Sequence, residues 1–159
     1  MAMIPKQKIE LSILLADDDI DDCTFFEEAL NGLPLSTHLT SVNDGEQLMK
    51  QLTNETNAIP DVLFLDLNMP RKNGFECLIE IKLSKRLKNL PVVVFSTSME
   101  QEVVNRLYKN GAQYFIHKPA AFQKFKKIIQ QTLTLITRES SSQPSRENFV
   151  LNVQTELIV

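Results

Sequence analysis

The sequence predicts a doubly wound α/β domain, in which a five-stranded parallel sheet carries helices on both faces. Two observations support this fold class. Short apolar runs recur at wide intervals along the 159 residues, and each run is nearly continuous in hydrophobicity, which is typical of strands covered on both faces. The stretches between the runs have apolar residues at helical spacing, so strand and helix alternate five times, as in βα folds with right-handed crossovers.

The five predicted strands are short, and the second has the weakest pattern. They are Ile13 to Ala16, Leu39 to Val42, Val62 to Leu65, Val92 to Phe95 and Tyr114 to Ile116.

The predicted helices are bounded by residues that favour helix ends. The first ends at Asn31-Gly32, the second opens like a capping box at Asp44, and the third follows Asn73-Gly74. The fourth opens in a box-like way at Ser98 and ends at Asn110-Gly111, and the fifth has an apolar face from Phe122 to Ile136. In the third helix we expect Phe75, Leu78, Ile79 and Leu83 to share one face.

Length and composition favour one domain. A chain of 159 residues is about one domain's worth. We predict that residues 9–137 form it and that residues 138–159 are a polar linker and an apolar tail from Phe149. The tail is expected to fold back on the domain, to bind a partner or a second copy, or to be a frayed terminus. It is too short to supply a DNA-binding module.

Composition excludes several function classes. The net charge is only -3 and the Lys and Arg residues form no basic stripe, so we predict no nucleic-acid binding. Cys23 and Cys77 have neither disulfide-framework nor zinc-site spacing. No signal peptide or membrane-spanning run is visible, so a soluble cytoplasmic protein without membrane insertion is expected.

Polar residues follow four of the predicted strands. They are Asp17-Asp18-Asp19, Asp66, Ser96-Thr97 and His117-Lys118. Because ligands of open parallel sheets bind at the carboxyl ends of the strands, these residues are expected to share one functional edge. Clustered carboxylates repel unless a cation neutralises them, and oxygen ligands with water suit Mg²⁺. Covalent phosphoryl transfer to an aspartate fits this chemistry.

Four segments carry a family resemblance: ILLADDD, LFLDLNMPRKNG, PVVVFSTS and GAQYFIHKP. Together, in this order, they resemble the receiver domains of two-component response regulators, the CheY-like family, of the single-domain type. The resemblance implies that Asp66 is the phosphoacceptor and that Asp17 and Asp18 hold Mg²⁺ with it. It also implies that Asn68 offers its backbone carbonyl to the metal.

The resemblance assigns three further roles. Ser96 is expected to contact the bound phosphoryl group, although Thr97 is a second hydroxyl beside it. Lys118 is expected to pair with the acceptor carboxylate and then with phosphate, commonly across a cis bond to Pro119. Phe115 occupies the position of the switch aromatic, which responds to the movement of Ser96.

Several acidic and histidine residues have simpler interpretations. Asp19, Asp21 and Asp22 are expected to be solvated or capping carboxylates in the first turn of a helix. His117 stands where the family usually has an apolar residue, and it is expected to be a packed or surface histidine.

The resemblance implies a signalling switch rather than an enzyme. A sensor histidine kinase or phosphotransfer protein is the expected donor, a downstream protein the expected target, and a homodimer is possible. A phosphatase of the haloacid-dehalogenase-like class would need a second Asp where Asn68 stands. A flavodoxin-like nucleotide binder would need a Gly-rich loop after the first strand, where this chain is acidic. A receiver that has lost phosphorylation is the remaining alternative, and the full set of expected site residues argues against it.

Overall fold

A computed structural model describes residues 10–138 and 142–152 of the chain. A parallel sheet with strand order β2-β1-β3-β4-β5-β6 forms its centre. The strands are β1 (Glu10–Ala16), β2 (Ser36–Val42), β3 (Val62–Asp66), β4 (Val92–Ser96), β5 (Tyr114–His117) and β6 (Val150–Leu151). The helices are α1 (Ile20–Asn31), α2 (Gly45–Thr53), α3 (Gly74–Leu83), α4 (Gln101–Lys109), α5 (Phe122–Arg138) and α6 (Arg146–Phe149).

The predicted fold class is confirmed, and the five predicted strands lie within β1 to β5. Successive strand residues point to opposite faces of the sheet, so each strand contributes side chains to two hydrophobic cores. Leu14 and Ala16 pack with α2, α3 and α4 on one face, whereas Ile13 and Leu15 pack with α1 and α5 on the other. Both faces are therefore covered, which explains why the strands lack alternation in hydrophobicity.

A sixth strand corrects the predicted count of five. β6 pairs in parallel with β5, with Val150 opposite Phe115. Phe149, just before it, is buried in the same core as Phe115, and Leu151 is buried on the opposite face. The described part of the predicted tail therefore packs against its own domain, while residues 139–141 and 153–159 lie outside the described residues.

The observed starts of the helices agree in part with those predicted from the sequence. Asn73 caps α3 in a full capping box with Glu76. Asp44 caps α2 by accepting a hydrogen bond from the Gln47 amide at 2.8 Å, but the Gln47 side chain accepts from Asn43 rather than from the cap residue. The box-like opening predicted at Ser98 was wrong, because α4 begins at Gln101 and its cap residue, Glu100, makes no side-chain hydrogen bond to the helix.

The buried face of α3 agrees with the predicted one in part, since Leu78 is buried and Phe75 packs against the same core. Cys77, Leu78 and Ile81 are buried, whereas Leu83 is 80% exposed. The start of α3 lies close to the end of β3, where a Cβ on Gly74 would lie 2.4 Å from the carbonyl oxygen of Asp66. Glycine is therefore the residue that fits this close approach of α3 to β3, and Cys77 in the next turn is buried in the core.

Within residues 10–138 and 142–152, no helix combines the length and the apolar character that crossing a membrane requires.

Candidate functional site

Three carboxylates converge at the carboxyl edge of the sheet. Asp17 follows β1, and Asp66 ends the neighbouring strand β3, with Ala16 paired to Leu65. Carboxylate oxygens of Asp17, Asp18 and Asp66 lie within 4.8 Å of one another. Asp17 and Asp66 are buried, whereas Asp18 is exposed. The cluster has the oxygen-only donor set that a hard divalent cation prefers.

Backbone amides hold two of these carboxylates in place. Oδ1 of Asp17 accepts a hydrogen bond from the Asp19 amide at 2.9 Å, and Oδ1 of Asp66 accepts one from the Asn68 amide at 3.1 Å. Each carboxylate is therefore fixed by the loop that follows it. The second oxygen of each is left to face the cluster.

A single ammonium lies among these carboxylates. Nζ of Lys118 is 3.5 Å from Asp17 Oδ2 and 3.8 Å from Asp66 Oδ2. Its shortest contact is to Asp22 Oδ2 at 2.5 Å. The Lys118 side chain is 9% exposed, and its Nζ lies 4.6 Å from the centre of the Phe95 ring. Lys118 is thus desolvated, and carboxylates surround its charge.

Burial sets the protonation behaviour of the cluster. Desolvation raises the pKa of Asp17 to about 8 from its ordinary 3.8, although the Asp19 amide and the charge of Lys118 act in the opposite direction. Desolvation also raises the pKa of Asp66. Burial alone would lower the pKa of Lys118, but its hydrogen bond to Asp22 and the nearby carboxylates together raise it. The ammonium therefore stays charged while the carboxylates resist ionisation.

The geometry fits a divalent cation. Oδ2 of Asp17 is buried and accepts no hydrogen bond from the residues that the structure describes, and its ion pair with Lys118 is too long for one. One ammonium is shared by Asp17, Asp22 and Asp66. An unpaired buried oxygen beside two further carboxylates matches the ligand set that a divalent ion would complete.

Two hydroxyls stand at the end of β4, Ser96 as its last residue and Thr97 just after it, and they differ in placement. Ser96 is fully buried, and its Oγ accepts a hydrogen bond from the Ser98 amide at 3.2 Å. The side-chain amide of Asn68 lies 3.5 Å from the same Oγ. Thr97 is exposed, and its carbonyl accepts a hydrogen bond from Nε2 of His117 at 2.9 Å. Ser96 is thus the hydroxyl that faces the loop after Asp66.

The remaining predicted residues have the following positions. Phe115 is buried in the same core as Leu107 of α4 and is paired with Val150 of β6, and its switch role stays a prediction. The cis bond expected between Lys118 and Pro119 was wrong, because the described residues contain no cis peptide bond. Asp19 caps α1 as expected, accepting from the amides of Asp21 and Asp22. The assignment of Asn68 as a carbonyl ligand stays a prediction.

Asp22 is the site residue that the sequence interpretation missed. It was expected to be a solvated or capping carboxylate, yet its side chain contacts Lys118 across 96 residues of sequence. Its position three residues into α1 gave no signal for this contact. Only the folded structure, which brings the first turn of α1 to the residue after β5, shows it.

The family model of the response regulator receiver domain matches residues 13–130. The response regulator Rcp1 of Synechocystis sp. is 32% identical over 122 residues, which are 74% of this chain and 83% of that protein. The probable methanogenesis regulatory protein FilR2 of Methanothrix harundinacea is 29% identical over 122 residues, 75% of this chain and 79% of that protein.

Solved structures of similar proteins agree. The Mn²⁺-bound form of Rcp1 aligns with a TM-score of 0.77 and 29% identity, covering 85% of this chain and 99% of that one. The phosphorylated cyanobacterial phytochrome response regulator RcpA aligns with a TM-score of 0.77 and 31% identity, covering 86% of this chain and 100% of that one.

Proposed function

This chain belongs to the response regulator receiver domain family, and we propose that Asp66 is the residue that accepts its phosphoryl group. One observation carries the proposal. Asp66 ends β3 with its carboxylate in the cluster formed with Asp17 and Asp18, and Lys118 lies 3.8 Å away. Acidic residues alone would repel a phosphoryl donor, so this arrangement is useful for phosphoryl transfer when a cation and the ammonium offset its charge.

The proposed reaction is a transfer between a partner's phosphohistidine and Asp66. A carboxylate oxygen of Asp66 attacks phosphorus, an O–P bond forms, and the P–N bond of the donor breaks to leave histidine. Lys118 offsets negative charge on the phosphoryl oxygens, and the Ser96 hydroxyl donates a hydrogen bond to one of them. Mg²⁺, held by Asp17, Asp18, Asp66 and the Asn68 carbonyl, would neutralise phosphoryl charge.

We propose a sensor histidine kinase or a phosphotransfer protein as the donor and a downstream protein as the target. The output would be a conformational change in which Ser96 moves toward the phosphoryl group and Phe115 follows. The balance between two states would shift because the new charge is hydrogen-bonded in only one of them. The proposed receiver domain is residues 9–137, and a homodimer remains a prediction from the apolar tail.

The first test measures phosphorylation of the protein. Incubation with acetyl phosphate and Mg²⁺ should add one phosphoryl group, detected by intact-protein mass spectrometry. Asp66→Asn should abolish the addition because the amide is not a nucleophile, whereas Asp21→Asn, an exposed carboxylate of α1, should leave it unchanged. Unchanged addition in the Asp66 variant would place the acceptor elsewhere.

A second test separates the two hydroxyls at the end of β4, those of Ser96 and Thr97. Ser96→Ala should weaken the binding of beryllofluoride, a phosphoryl mimic, in the presence of Mg²⁺, because one hydrogen-bond donor is lost. Thr97→Ala is the matched control, since Thr97 is exposed. Calorimetric titration gives both affinities, and a larger loss in the Thr97 variant would assign the contact to Thr97.

A further inference from the structure

Lys118 has a closer partner than the proposed phosphoacceptor. Its Nζ is 2.5 Å from Asp22 Oδ2 but 3.8 Å from Asp66 Oδ2. Only the first of these distances is a short charge-assisted hydrogen bond. In the unphosphorylated protein, the ammonium expected to act on the phosphoryl group is therefore bound to a different carboxylate.

The backbone around both residues fixes this contact. Asp22 lies in the first turn of α1, where the Asp19 side chain accepts a hydrogen bond from the Asp22 amide at 3.3 Å. On the other side, the Lys118 amide donates to the carbonyl of Ser96 at 2.8 Å. The Asp22 side chain is 17% exposed and that of Lys118 is 9% exposed, so water competes little for the contact.

We propose that Asp22 is a positioning residue that holds the Lys118 ammonium away from Asp66 until a phosphoryl group arrives. The inference rests on the proposed function of Asp66. Asp22 and Asp66 compete for one ammonium, and each carries at most one negative charge. A phosphorylated Asp66 presents up to two charges and several acceptor oxygens, so it attracts the ammonium more strongly than the free carboxylate does.

The competition has a defined direction. The contact between Asp22 and Lys118 stabilises the unphosphorylated arrangement and must weaken when Lys118 moves to the phosphoryl group. Removing the charge of Asp22 therefore favours the phosphoryl-bound state. A ligand can shift such an equilibrium only by the difference between its affinities for the two states, and Asp22 contributes to that difference.

The test compares beryllofluoride affinity, measured by calorimetry at saturating Mg²⁺, in four chains. Asp22→Asn should bind beryllofluoride about three- to tenfold more tightly than the unaltered protein, as expected when a competing hydrogen bond to a carboxylate is replaced by a weaker one to a neutral amide. Asp21→Asn is the matched control, because it removes the same charge from the same helical turn without touching Lys118. Asp22→Glu keeps a carboxylate and should restore affinity close to that of the unaltered protein.

A second readout needs neither metal nor beryllofluoride. In the metal-free protein labelled with ¹⁵N-lysine, the ammonium signal of Lys118 is assigned by its absence in Lys118→Met. Asp22→Asn should shift that signal or broaden it through faster solvent exchange, and Asp21→Asn should not. A residue that only supports α1 would alter stability without moving this signal selectively.

The outcomes distinguish this inference from the proposed function. Equal beryllofluoride affinities in the Asp22→Asn and Asp21→Asn chains, or weaker binding in the Asp22 variant, would overturn the positioning role and leave Asp66 as the acceptor. Failure of the unaltered protein to bind beryllofluoride with Mg²⁺ would overturn the proposed function and this inference together.

Discussion

The carboxyl edge of the sheet and the outer edge of β5 are built on opposite principles. At the first edge, buried carboxyl groups disfavour one another's ionisation and share the Lys118 ammonium. At the second, residues 142–151, here the C-terminal segment, cover the strand with apolar side chains and backbone pairing. Binding of a cation or a phosphoryl group would stabilise the first region, whereas the second region stabilises the domain without either.

The C-terminal segment is held by three kinds of contact. Phe149 is buried and packs edge-on against Tyr108, with ring centres 5.1 Å apart. The Gln143 side-chain amide donates to the carbonyls of Tyr108 and Ala112 at 2.8 and 2.7 Å. Val150 pairs with Phe115, the proposed switch aromatic. The two edges therefore meet at β5, which ends in the functional site and is covered by the segment.

The largest expected effect tests whether the C-terminal segment belongs to the core. Phe149→Ala should lower the free energy of unfolding by about 3–5 kcal/mol, because it removes a fully buried ring and leaves a cavity beside Tyr108. Urea unfolding followed by far-ultraviolet circular dichroism measures the change.

Leu83→Ala is the control for that experiment. Leu83 is a large apolar residue at the end of α3 that is 80% exposed, so its truncation should change stability by less than about 0.5 kcal/mol. A similar small effect from Phe149→Ala would show that the segment is not part of the folded core in solution.

The next effect tests whether the buried charge of Asp17 at the functional edge destabilises the metal-free protein. Asp17→Asn should raise the free energy of unfolding of the metal-free protein at pH 8 by about 1–3 kcal/mol, because it removes a charge that burial disfavours. The same variant should lose the stabilisation that Mg²⁺ gives to the unaltered protein. Thermal unfolding with and without Mg²⁺ measures both.

The sign of the pH dependence follows from the raised pKa. Asp17 keeps its proton in the folded state up to about pH 8, whereas the unfolded chain loses it near its ordinary pKa of 3.8. Its contribution to stability is therefore complete below pH 3.8 and decreases as the pH rises to about 8. Asp66 has a raised pKa and acts in the same direction. Asp17→Asn should flatten this decrease in the metal-free protein.

Asp18→Asn is the matched control at the same edge. Asp18 is exposed, so its neutralisation should add little stability in the metal-free protein. It should nevertheless weaken stabilisation by Mg²⁺, since Asp18 belongs to the carboxylate cluster. Equal stability gains from both variants would mean that burial of Asp17 is not the cause.

The functional edge could be predicted because the topology of a parallel sheet determines where the residue after each strand lies. Residues that follow parallel strands reach the same edge, so Asp17, Asp66, Ser96 and Lys118 could be grouped without any distances. Asp22 could not be included by that rule. It lies within a helix, and its contact with Lys118 depends on tertiary packing that brings the first turn of α1 to the residue after β5.

The C-terminal segment and the face of α3 were less predictable for different reasons. β6 contains only Val150 and Leu151, which is too short for a periodic pattern, and its place is decided by packing against distant residues. In α3, apolar residues lie on more than one side, so spacing alone allowed a face that included Leu83. The orientation is decided by tertiary packing, which buries Cys77, Leu78 and Ile81 in the core.

The smallest expected effect tests whether the C-terminal segment docks as one unit. Tyr108→Phe removes only the hydroxyl that donates to the Pro144 carbonyl at 2.8 Å, so it should cost about 0.5–1.5 kcal/mol in urea unfolding while the contact with Phe149 remains. In a chain that already carries Phe149→Ala, the cost should shrink, because the segment no longer holds Pro144 in place. Equal costs in both backgrounds would mean that the two contacts act independently and that the segment does not dock cooperatively.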